Sequence, residues 1–383
     1  MKKKKVLFIC PSLCHGGIEQ FQIAMLKMLD DKFYDLTLYL YLNDTTLLPL
    51  VPEHVKVIID KDQNHYFRKP KAIWFGLKKI LFKSKKYEEQ LRAYVHNQKM
   101  IHPAKDVFNN EKFDVVIANV IGRGTEMALH IKADKRYVFF HSSLDLHHDL
   151  MEQLFPQYDG IVAVSSGVQD MLKKAYPNVK EKICVLENWV DAEDVIEKSK
   201  DNSMKEQVKK EVVTLVSCGR LSKEKGFDIA VETAKILKYK GFNYHWFFVG
   251  DGAEREKIEN MIKEDALEEY ISITGYMENP YPIIKNCDIY VQPSYEESYG
   301  RTIKEAIILG CPVVSTATVG GCLLIKNKEN GIITEISSEA LAIGIVEMIE
   351  NLELQNKCKE YYRLEQNEIE KQVFKDSLEK ILS

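Results

Sequence analysis

The chain has 383 residues, of which 45% are apolar and 29% charged, and its formal net charge is −4. This length exceeds what a single hydrophobic core usually holds and predicts two domains, while the composition excludes a disordered chain. The small negative net charge gives no reason to expect nucleic acid as a partner.

Eight cysteines are scattered along the chain, without a CxxC pair or a Cys/His cluster at zinc spacing. We therefore expect no metal site and a reducing, cytoplasmic compartment. The apolar run at 6–10 is too short for the core of a signal peptide, and we find no run long enough to span a bilayer.

The N-terminal half alternates short apolar runs with helical patterns, which is typical of a parallel sheet covered by helices on both faces. A first strand is predicted at 6–10 and a helix at 18–29. Further strands are predicted at 36–41, 55–59, 115–119, 137–140, 161–164 and 183–186, with a second helix at 166–176.

Two places in this half are candidates for ligand contact. Gly16 and Gly17 form a turn between the first strand and helix, where glycines let backbone amides face a ligand. The turn lacks the GxGxxG spacing of a dinucleotide site, and ordinary chain reversal explains it equally well. His141 follows the strand at 137–140, where a neutral imidazole can point at a ligand, but a capping or core histidine is the alternative.

An insertion at 61–110 does not fit the alternation of strands and helices. Its segment 68–86 carries eight basic residues and no acidic one. On a helix, its isoleucines, leucines and Trp74 fall on one side and most lysines on the other. A basic amphipathic helix of this kind indicates binding to an anionic membrane surface, and a solvated helix that packs on its own domain is the alternative.

The alternation stops over 191–211, which we interpret as a linker with a short surface helix, and then restarts. The pattern predicts an α/β fold of two Rossmann-like domains, with parallel doubly wound sheets facing across a cleft. The domains span 1–190 and 191–360, and a C-terminal helix at 361–383 crosses back to the first domain. Strands of the second domain are predicted at 212–217, 246–249, 271–273, 289–292 and 312–315, and helices at 227–239, 253–265 and 301–309.

Two cations follow the first strand of the second domain. Arg220 and Lys225 lie in the loop after 212–217, at the carboxyl end of a parallel strand, where open α/β sheets bind ligands. Arginine suits bidentate phosphate contacts and lysine adds a second charge, so the pair fits a diphosphate. Solvated loop cations are the alternative. Gly250 and Tyr276 lie in the corresponding loops after the next two strands, where they can face the same ligand.

The segment 296–314 is the most informative part of the chain. Glu297 and Glu305 are separated by seven residues, with Gly300 and the start of an amphipathic helix between them. Helix amides hold phosphate, and carboxylates accept hydrogen bonds from sugar hydroxyls. The combination predicts a nucleotide-sugar site.

In this order, the motifs resemble those of the retaining glycosyltransferases of family four, which have the GT-B fold, over nearly the whole chain. The resemblance implies that Arg220 and Lys225 hold the donor diphosphate, that Glu305 binds the ribose and that Glu297 binds the transferred sugar. Serine replaces a common glycine at Ser298. The implied catalytic residues are His141, Glu297, Arg220 and Lys225, and the implied donor-binding residues are Gly16, Gly17, Arg220, Lys225, Gly250, Tyr276, Ser298, Tyr299, Gly300, Arg301, Thr302 and Glu305.

The resemblance also implies a function. Domain 191–360 binds the nucleotide-sugar donor, with a UDP-sugar expected, and domain 1–190 faces the acceptor. A hexose or N-acetylhexosamine is transferred with retention, without metal or cofactor, to a lipid-linked glycan in cell-surface polysaccharide or glycolipid synthesis. The enzyme is expected to be cytoplasmic and peripheral on the inner face of the membrane, and its oligomeric state stays open. The alternatives are a nucleotide-sugar epimerase of the same fold and a non-catalytic partner subunit.

Segment 68–86 generates a prediction about membrane binding. Replacing Lys78, Lys79, Lys83, Lys85 and Lys86 by Ser should weaken co-sedimentation with anionic vesicles, because each lysine contributes about 1 kcal/mol near such a surface. Added salt should weaken wild-type binding only in part, since Trp74 contributes an apolar component. Neutral phosphatidylcholine vesicles are the control. If the variant binds anionic vesicles as strongly as the wild type, 68–86 is a solvated helix.

Overall fold

The computed structural model describes residues 2–14, 16–60, 107–108, 111–141, 148–201 and 212–383. The basic segment 68–86 lies outside these residues and stays a prediction. The chain divides into two units. The N-terminal unit comprises Met1–Val164, Gln169–Leu186 and Leu378–Ser383, and the C-terminal unit comprises Ser165–Val168 and Glu187–Ser377.

Parallel strands form the sheet of the N-terminal unit. They are β1 (Lys4–Cys10), β2 (Tyr34–Leu40), β3 (Lys56–Ile59), β4 (Lys112–Ala118), β5 (Lys132–Phe140), β6 (Gly160–Ala163) and β7 (Ile183–Val185). The sheet has seven strands in the order β3-β2-β1-β4-β5-β6-β7. The helices are α1 (Gly17–Met28), α2 (Arg123–Ala128), α3 (His148–Leu154) and α4 (Ser166–Ala175).

The central strand β1 explains why this sheet is parallel and covered on both faces. Its last five residues, Val6 to Cys10, are all buried, so the strand has no solvent-facing side. Such an unbroken apolar run is stable only between two layers of helices. Phe8 of β1 lies opposite Leu38 of β2 and Ile117 of β4.

The C-terminal unit repeats this architecture. Its strands are β8 (Val213–Cys218), β9 (Tyr244–Val249), β10 (Ile271–Gly275), β11 (Ile289–Gln292), β12 (Val313–Thr316) and β13 (Ile332–Thr334). They form a six-stranded sheet in the order β10-β9-β8-β11-β12-β13. The helices are α5 (Ala192–Lys198), α6 (Phe227–Tyr239), α7 (Arg255–Glu264), α8 (Tyr281–Asn286), α9 (Arg301–Ile308), α10 (Val319–Leu324), α11 (Ser338–Glu350), α12 (Leu352–Tyr361) and α13 (Leu364–Leu382).

Two hydrophobic clusters cover the two faces of this second sheet. Trp246 and Phe248 of β9 pack into one cluster, and Phe247 and Val249 pack into the other. Alternate side chains of a strand point to opposite faces, which gives this division. Helix α9 adds Ile303 and Ile307 to the second cluster, and this burial fixes the helix that contains Glu305.

The predicted pair of parallel, doubly wound sheets is confirmed. The sequence patterns do not predict strand β13 or the helices α2, α3, α8, α10 and α11, and the C-terminal helix expected at 361–383 corresponds to α13, which a separate helix α12 precedes. Strand β13 has three residues, and α8 and α10 have six each, so they carry too little periodicity for recognition. Helix α11 is apolar on most of its surface and therefore lacks a clear polar face.

The chain does not contain a helix that is both long and apolar enough to cross a bilayer, as far as the described residues extend.

A left-handed glycine connects the loop after β8 to α6. Gly226 has φ 64° and ψ 30°, and a Cβ atom added there would lie 2.2 Å from the carbonyl oxygen of Pro293. The backbone of this turn therefore packs directly on the backbone that follows β11. Gly241, at the other end of α6, also has a positive φ of 78°, but an added Cβ meets no atom within 4 Å.

This pair of glycines allows a matched test. Gly241→Ala should lower the free energy of unfolding by about 1–2 kcal/mol, which is the cost of a left-handed alanine. Gly226→Ala should lower it by roughly 3–4 kcal/mol, because overlap with the Pro293 carbonyl adds to that cost. Urea unfolding of both variants measures the difference. If both variants lose the same unfolding free energy, the turn at Gly226 can shift away from the Pro293 carbonyl without cost.

Candidate functional site

Loops at the carboxyl ends of β8 and β11 bring two of the predicted residues together. Lys225 follows β8, Glu297 follows β11, and the Lys225 Nζ lies 2.7 Å from the Glu297 Oε1. Both side chains are largely buried, with 25% and 10% of their surface exposed. The predicted phosphate cation and the predicted sugar-binding carboxylate are thus an ion pair in this structure.

The carboxylate of Glu297 is held through one of its oxygens. Besides Lys225, the Gln292 amide and the Ser294 hydroxyl donate to Oε1, at 3.1 Å and 3.0 Å. The other oxygen, Oε2, accepts no hydrogen bond from the part of the chain that the structure describes. The carboxylate is therefore fixed in orientation and keeps one oxygen as an acceptor for a ligand.

Gln292 and Ser294 are site residues that the sequence analysis missed. Both are buried, and Gln292 is itself oriented by the hydroxyls of Tyr290 and Thr302, which donate to its Oε1 at 2.7 Å and 3.0 Å. Their position in the sequence could have identified them, because polar residues directly at the carboxyl end of a buried parallel strand indicate a ligand site.

The loop between Glu297 and α9 is held closely by backbone contacts. The Gly320 amide donates to the Glu297 carbonyl at 2.7 Å, and a Cβ on Gly320 would lie 2.4 Å from the carbonyl carbon of Tyr299. Gly300 then adopts φ 82° and ψ 52° before the first turn of α9. The Tyr299 ring is buried, and burial raises the pKa of its hydroxyl, so this side chain stays neutral.

Glu305 lies one turn into α9, with 5% of its surface exposed. Arg301 Nε lies 3.0 Å from its Oε1, and the Tyr281 hydroxyl donates to the same oxygen at 3.3 Å. Burial raises the pKa of Glu305, and the charge of Arg301 and the hydrogen bonds from Tyr281 and Arg301 oppose that rise. As with Glu297, Oε2 accepts no hydrogen bond within the described ranges.

Arg220, Gly250 and Tyr276 follow three neighbouring strands of the C-terminal sheet. Gly250 has φ 147°, a Cβ there would lie 1.9 Å from the Gly219 carbonyl oxygen, and its amide donates to the Gly275 carbonyl at 2.9 Å. This position accepts only glycine, and it joins the loops after β8, β9 and β10. Arg220 is exposed, as is the Tyr276 ring at 51%. An exposed guanidinium and an exposed aromatic ring therefore lie at this edge of the sheet.

His141 directly follows β5 in the N-terminal unit. Its ring packs edge-on against Phe21 and stacks on Phe139, and its Nε2 lies 3.4 Å from the Asn119 Oδ1. Burial lowers the pKa of His141 to about 4, so the imidazole is neutral at physiological pH. The apolar surroundings of His141 thus account for its neutral form. Its contact with a donor sugar stays a prediction.

Gly16 lies in extended backbone before α1. Gly16 precedes α1 with φ −169°, which is extended backbone open to any residue, and its carbonyl accepts from the Gln20 amide at 3.1 Å. A positive φ is thus not the reason for this glycine. Gly17 begins α1, and contact of either residue with a ligand stays a prediction.

Groups of acidic, histidine and cysteine side chains that could hold a metal were searched for in the described residues, and none with three or more members was found.

Comparisons with known proteins agree with this arrangement. Residues 198–365 match the family described as glycosyl transferases group 1. The structure is similar to HepE of Anabaena solved with UDP and glucose, with a TM-score of 0.71, 18% identity and 99% of both chains covered.

Two sequence relatives have named activities. A Campylobacter jejuni N-acetylgalactosamine-N,N'-diacetylbacillosaminyl-diphospho-undecaprenol 4-alpha-N-acetylgalactosaminyltransferase is 22% identical over 97% of both chains. The Escherichia coli O-antigen biosynthesis glycosyltransferase WclY is 28% identical over 42% of this chain and 43% of its own. The predicted resemblance to the glycosyltransferases is therefore confirmed, residues 198–365 match the group 1 glycosyl transferases, and the fold is GT-B.

The buried state of His141 leads to a prediction about acid stability. Its pKa is about 4 when folded against 6.5 for an exposed imidazole, so the unfolded chain binds the extra proton as the pH falls from 6.5 to 4. The wild type should lose on the order of 3 kcal/mol of unfolding free energy over that interval. The variant His141→Gln has no titrating ring at this position, so its unfolding free energy should fall less than that of the wild type over the same interval, by about that amount. Urea unfolding at several pH values measures this, and parallel curves would contradict it.

Proposed function

We propose that this chain is a retaining, metal-independent glycosyltransferase that moves a hexose or N-acetylhexosamine from a UDP-sugar to a lipid-linked glycan. One observation carries the proposal. Glu297 and Glu305 each have one oxygen fixed by the protein and the other without a protein partner among the described residues. Oriented carboxylate acceptors suit the hydroxyls of a sugar and of a ribose.

The charges around the two carboxylates fit a diphosphate between them. Arg220, Lys225 and Arg301 contribute three positive charges, and Glu297 and Glu305 contribute two negative ones. Arg220 is exposed, and its charge, together with that of Lys225, helps to lower the pKa of the nearby Glu224 carboxyl group. The backbone at 298–302, which enters α9, adds the amides of a helix N-terminus. A diphosphate would then be held by Arg220, Lys225 and these amides.

This geometry suggests how the protein would assist transfer. The bond between the sugar's anomeric carbon and the diphosphate oxygen breaks, and the acceptor oxygen forms a new bond to that carbon on the same face. The acceptor's proton goes to the departing diphosphate. Electrostatic stabilisation of the departing charge by Arg220 and Lys225 is the main catalytic contribution, and the neutral imidazole of His141 would contact the donor sugar without adding charge.

During this reaction Lys225 would interact with two negatively charged groups, the Glu297 carboxylate and the donor diphosphate. In this structure the charge of Lys225 is matched by Glu297, whose Oε1 lies 2.7 Å from the Lys225 Nζ. A diphosphate that approaches Lys225 would share this cation with the carboxylate. Sharing would leave the Glu297 oxygens more available to the sugar hydroxyls, which links binding of the phosphate to recognition of the sugar.

The acceptor and the location are proposed from sequence similarity and charge. The Campylobacter relative acts on a glycan linked to diphospho-undecaprenol, as its name states. The basic segment 68–86 would hold the enzyme at an anionic membrane, peripherally on its cytoplasmic face, where such lipids are accessible. Cell-surface polysaccharide or glycolipid synthesis is the process that these properties suit.

The two glutamates should have different roles, and this can be measured. Glu305→Gln should weaken nucleoside diphosphate binding about tenfold or more, because it removes a charged acceptor of the ribose hydroxyls. Glu297→Gln should lower turnover of the donor sugar while nucleotide affinity is kept, since Lys225 is then released to the phosphate. Calorimetry with UDP, GDP and ADP and a donor-turnover assay supply the measurements, with UDP expected to bind best.

Glu296→Gln is the matched control, because Glu296 is the exposed neighbour of Glu297 and should behave as the wild type in both assays. If Glu297→Gln and Glu305→Gln both bind nucleotide and turn over donor like the wild type, this site is not where the nucleotide sugar binds.

A further inference from the structure

The ion pair between Arg301 and Glu305 is largely buried. Both residues lie on α9 at positions i and i+4, with 18% and 7% of their side chains exposed. The guanidinium donates through Nε, at 3.0 Å from the Glu305 Oε1. Its Nη1, however, is buried and has no hydrogen-bond partner in the described structure.

Stability alone does not explain this pair. Removing a guanidinium from water is unfavourable unless its donors are satisfied, and here one of them is not. Apolar residues of similar size at such positions often give equal or greater stability. A function that needs the charge of Arg301 at this place is the better explanation for its presence.

The groups that face Glu305 show which charge acts on it. From α8 the Tyr281 hydroxyl donates to the carboxylate, and burial raises the pKa of that tyrosine, so it stays neutral. From β8 the Cys218 thiol is also neutral, because burial raises its pKa to about 12. From α5 the Lys198 ammonium acts at longer range, and its Nζ pairs with the Asp194 Oδ2 at 2.6 Å.

Arg301 is therefore the principal cation acting on Glu305. Burial raises the pKa of Glu305, and the charge of Arg301 is the largest effect that opposes the rise. Without Arg301 the carboxyl group would take up a proton at higher pH. A protonated carboxyl group is a weaker acceptor than a carboxylate.

We propose that Arg301 is a positioning residue: it fixes Oε1 of Glu305 and keeps the carboxylate ionised, so that Oε2 accepts hydrogen bonds from the ribose. This rests on the proposed function, which assigns Glu305 to the ribose. The side chain of Arg301 thereby has a role of its own, distinct from that of the backbone at the start of α9.

The experiment compares UDP with 2′-deoxy-UDP by calorimetry on the full-length chain between pH 5.5 and 8.5. The ratio of their dissociation constants reports the ribose contact, and titration of the phosphate cancels in it. In the wild type the ratio should be about tenfold or more at pH 8.5. In Arg301→Gln the ratio should fall toward one as the pH is lowered, beginning at a higher pH than in the wild type.

Arg301→Lys should restore most of the wild-type pH profile, because it returns the charge without the planar guanidinium. Lys357→Gln is the matched control. Lys357 Nζ lies 2.7 Å from the Glu353 Oε1, also at i and i+4, but this pair is exposed on α12 and should not affect the ratio. If Arg301→Gln keeps the wild-type pH profile, the positioning role is wrong.

Glu305→Gln separates this inference from the proposed function. If Glu305→Gln leaves the ratio at the wild-type value, Glu305 does not bind the ribose and the assignment itself fails. If Glu305→Gln lowers the ratio but Arg301→Gln does not alter its pH profile, only the role of Arg301 is overturned. If Arg301→Gln does not fold, Arg301→Lys provides the test. The ratio of its two dissociation constants must then follow the wild-type pH profile, and a shifted profile refutes the positioning role.

Discussion

Burial of two carboxylates is the constraint on which the C-terminal unit depends. Glu297 and Glu305 lose most of their hydration, so each needs a cation and hydrogen-bond donors from the protein. Lys225 reaches Glu297 from the loop after β8, and Arg301 reaches Glu305 along α9. Further hydrogen bonds hold the first of these carboxylates. The Tyr290 hydroxyl donates to Gln292, and the Gln292 amide donates to Glu297.

A second constraint acts on the backbone around them. Gly226, Gly250 and Gly320 lie where two stretches of main chain touch, and an added Cβ would come within 1.9–2.4 Å of a backbone atom at each place. Side chains are thus excluded where the loops meet, and the loops after β8, β9 and β11 pack on one another directly. Close packing of main chain limits the freedom of the ion pairs that these loops hold.

In the N-terminal unit, the His141 imidazole lies in an apolar setting. His141 follows β5 and contacts the rings of Phe21 and Phe139, where an imidazolium would be poorly solvated, so the ring stays neutral. The pairs Lys225–Glu297 and Arg301–Glu305 are largely buried in the C-terminal unit, whereas His141 of the N-terminal unit is kept in its neutral form. GT-B proteins keep this fold at identities near 20%, because an apolar alternation and a few glycines are enough to specify two such sheets.

The sequence by itself determined the two parallel sheets and the position of α9, because apolar runs follow local rules, and it predicts Lys225, Glu297 and Glu305 as site residues. It did not determine Gln292 and Ser294 as partners of Glu297, nor Tyr281 as a partner of Glu305. It also did not show that Lys225 pairs with Glu297, since 72 residues separate them in the chain. Only the tertiary structure decided these contacts, because the order of the strands brings distant loops to one edge of the sheet, and burial there gives each charge its partner.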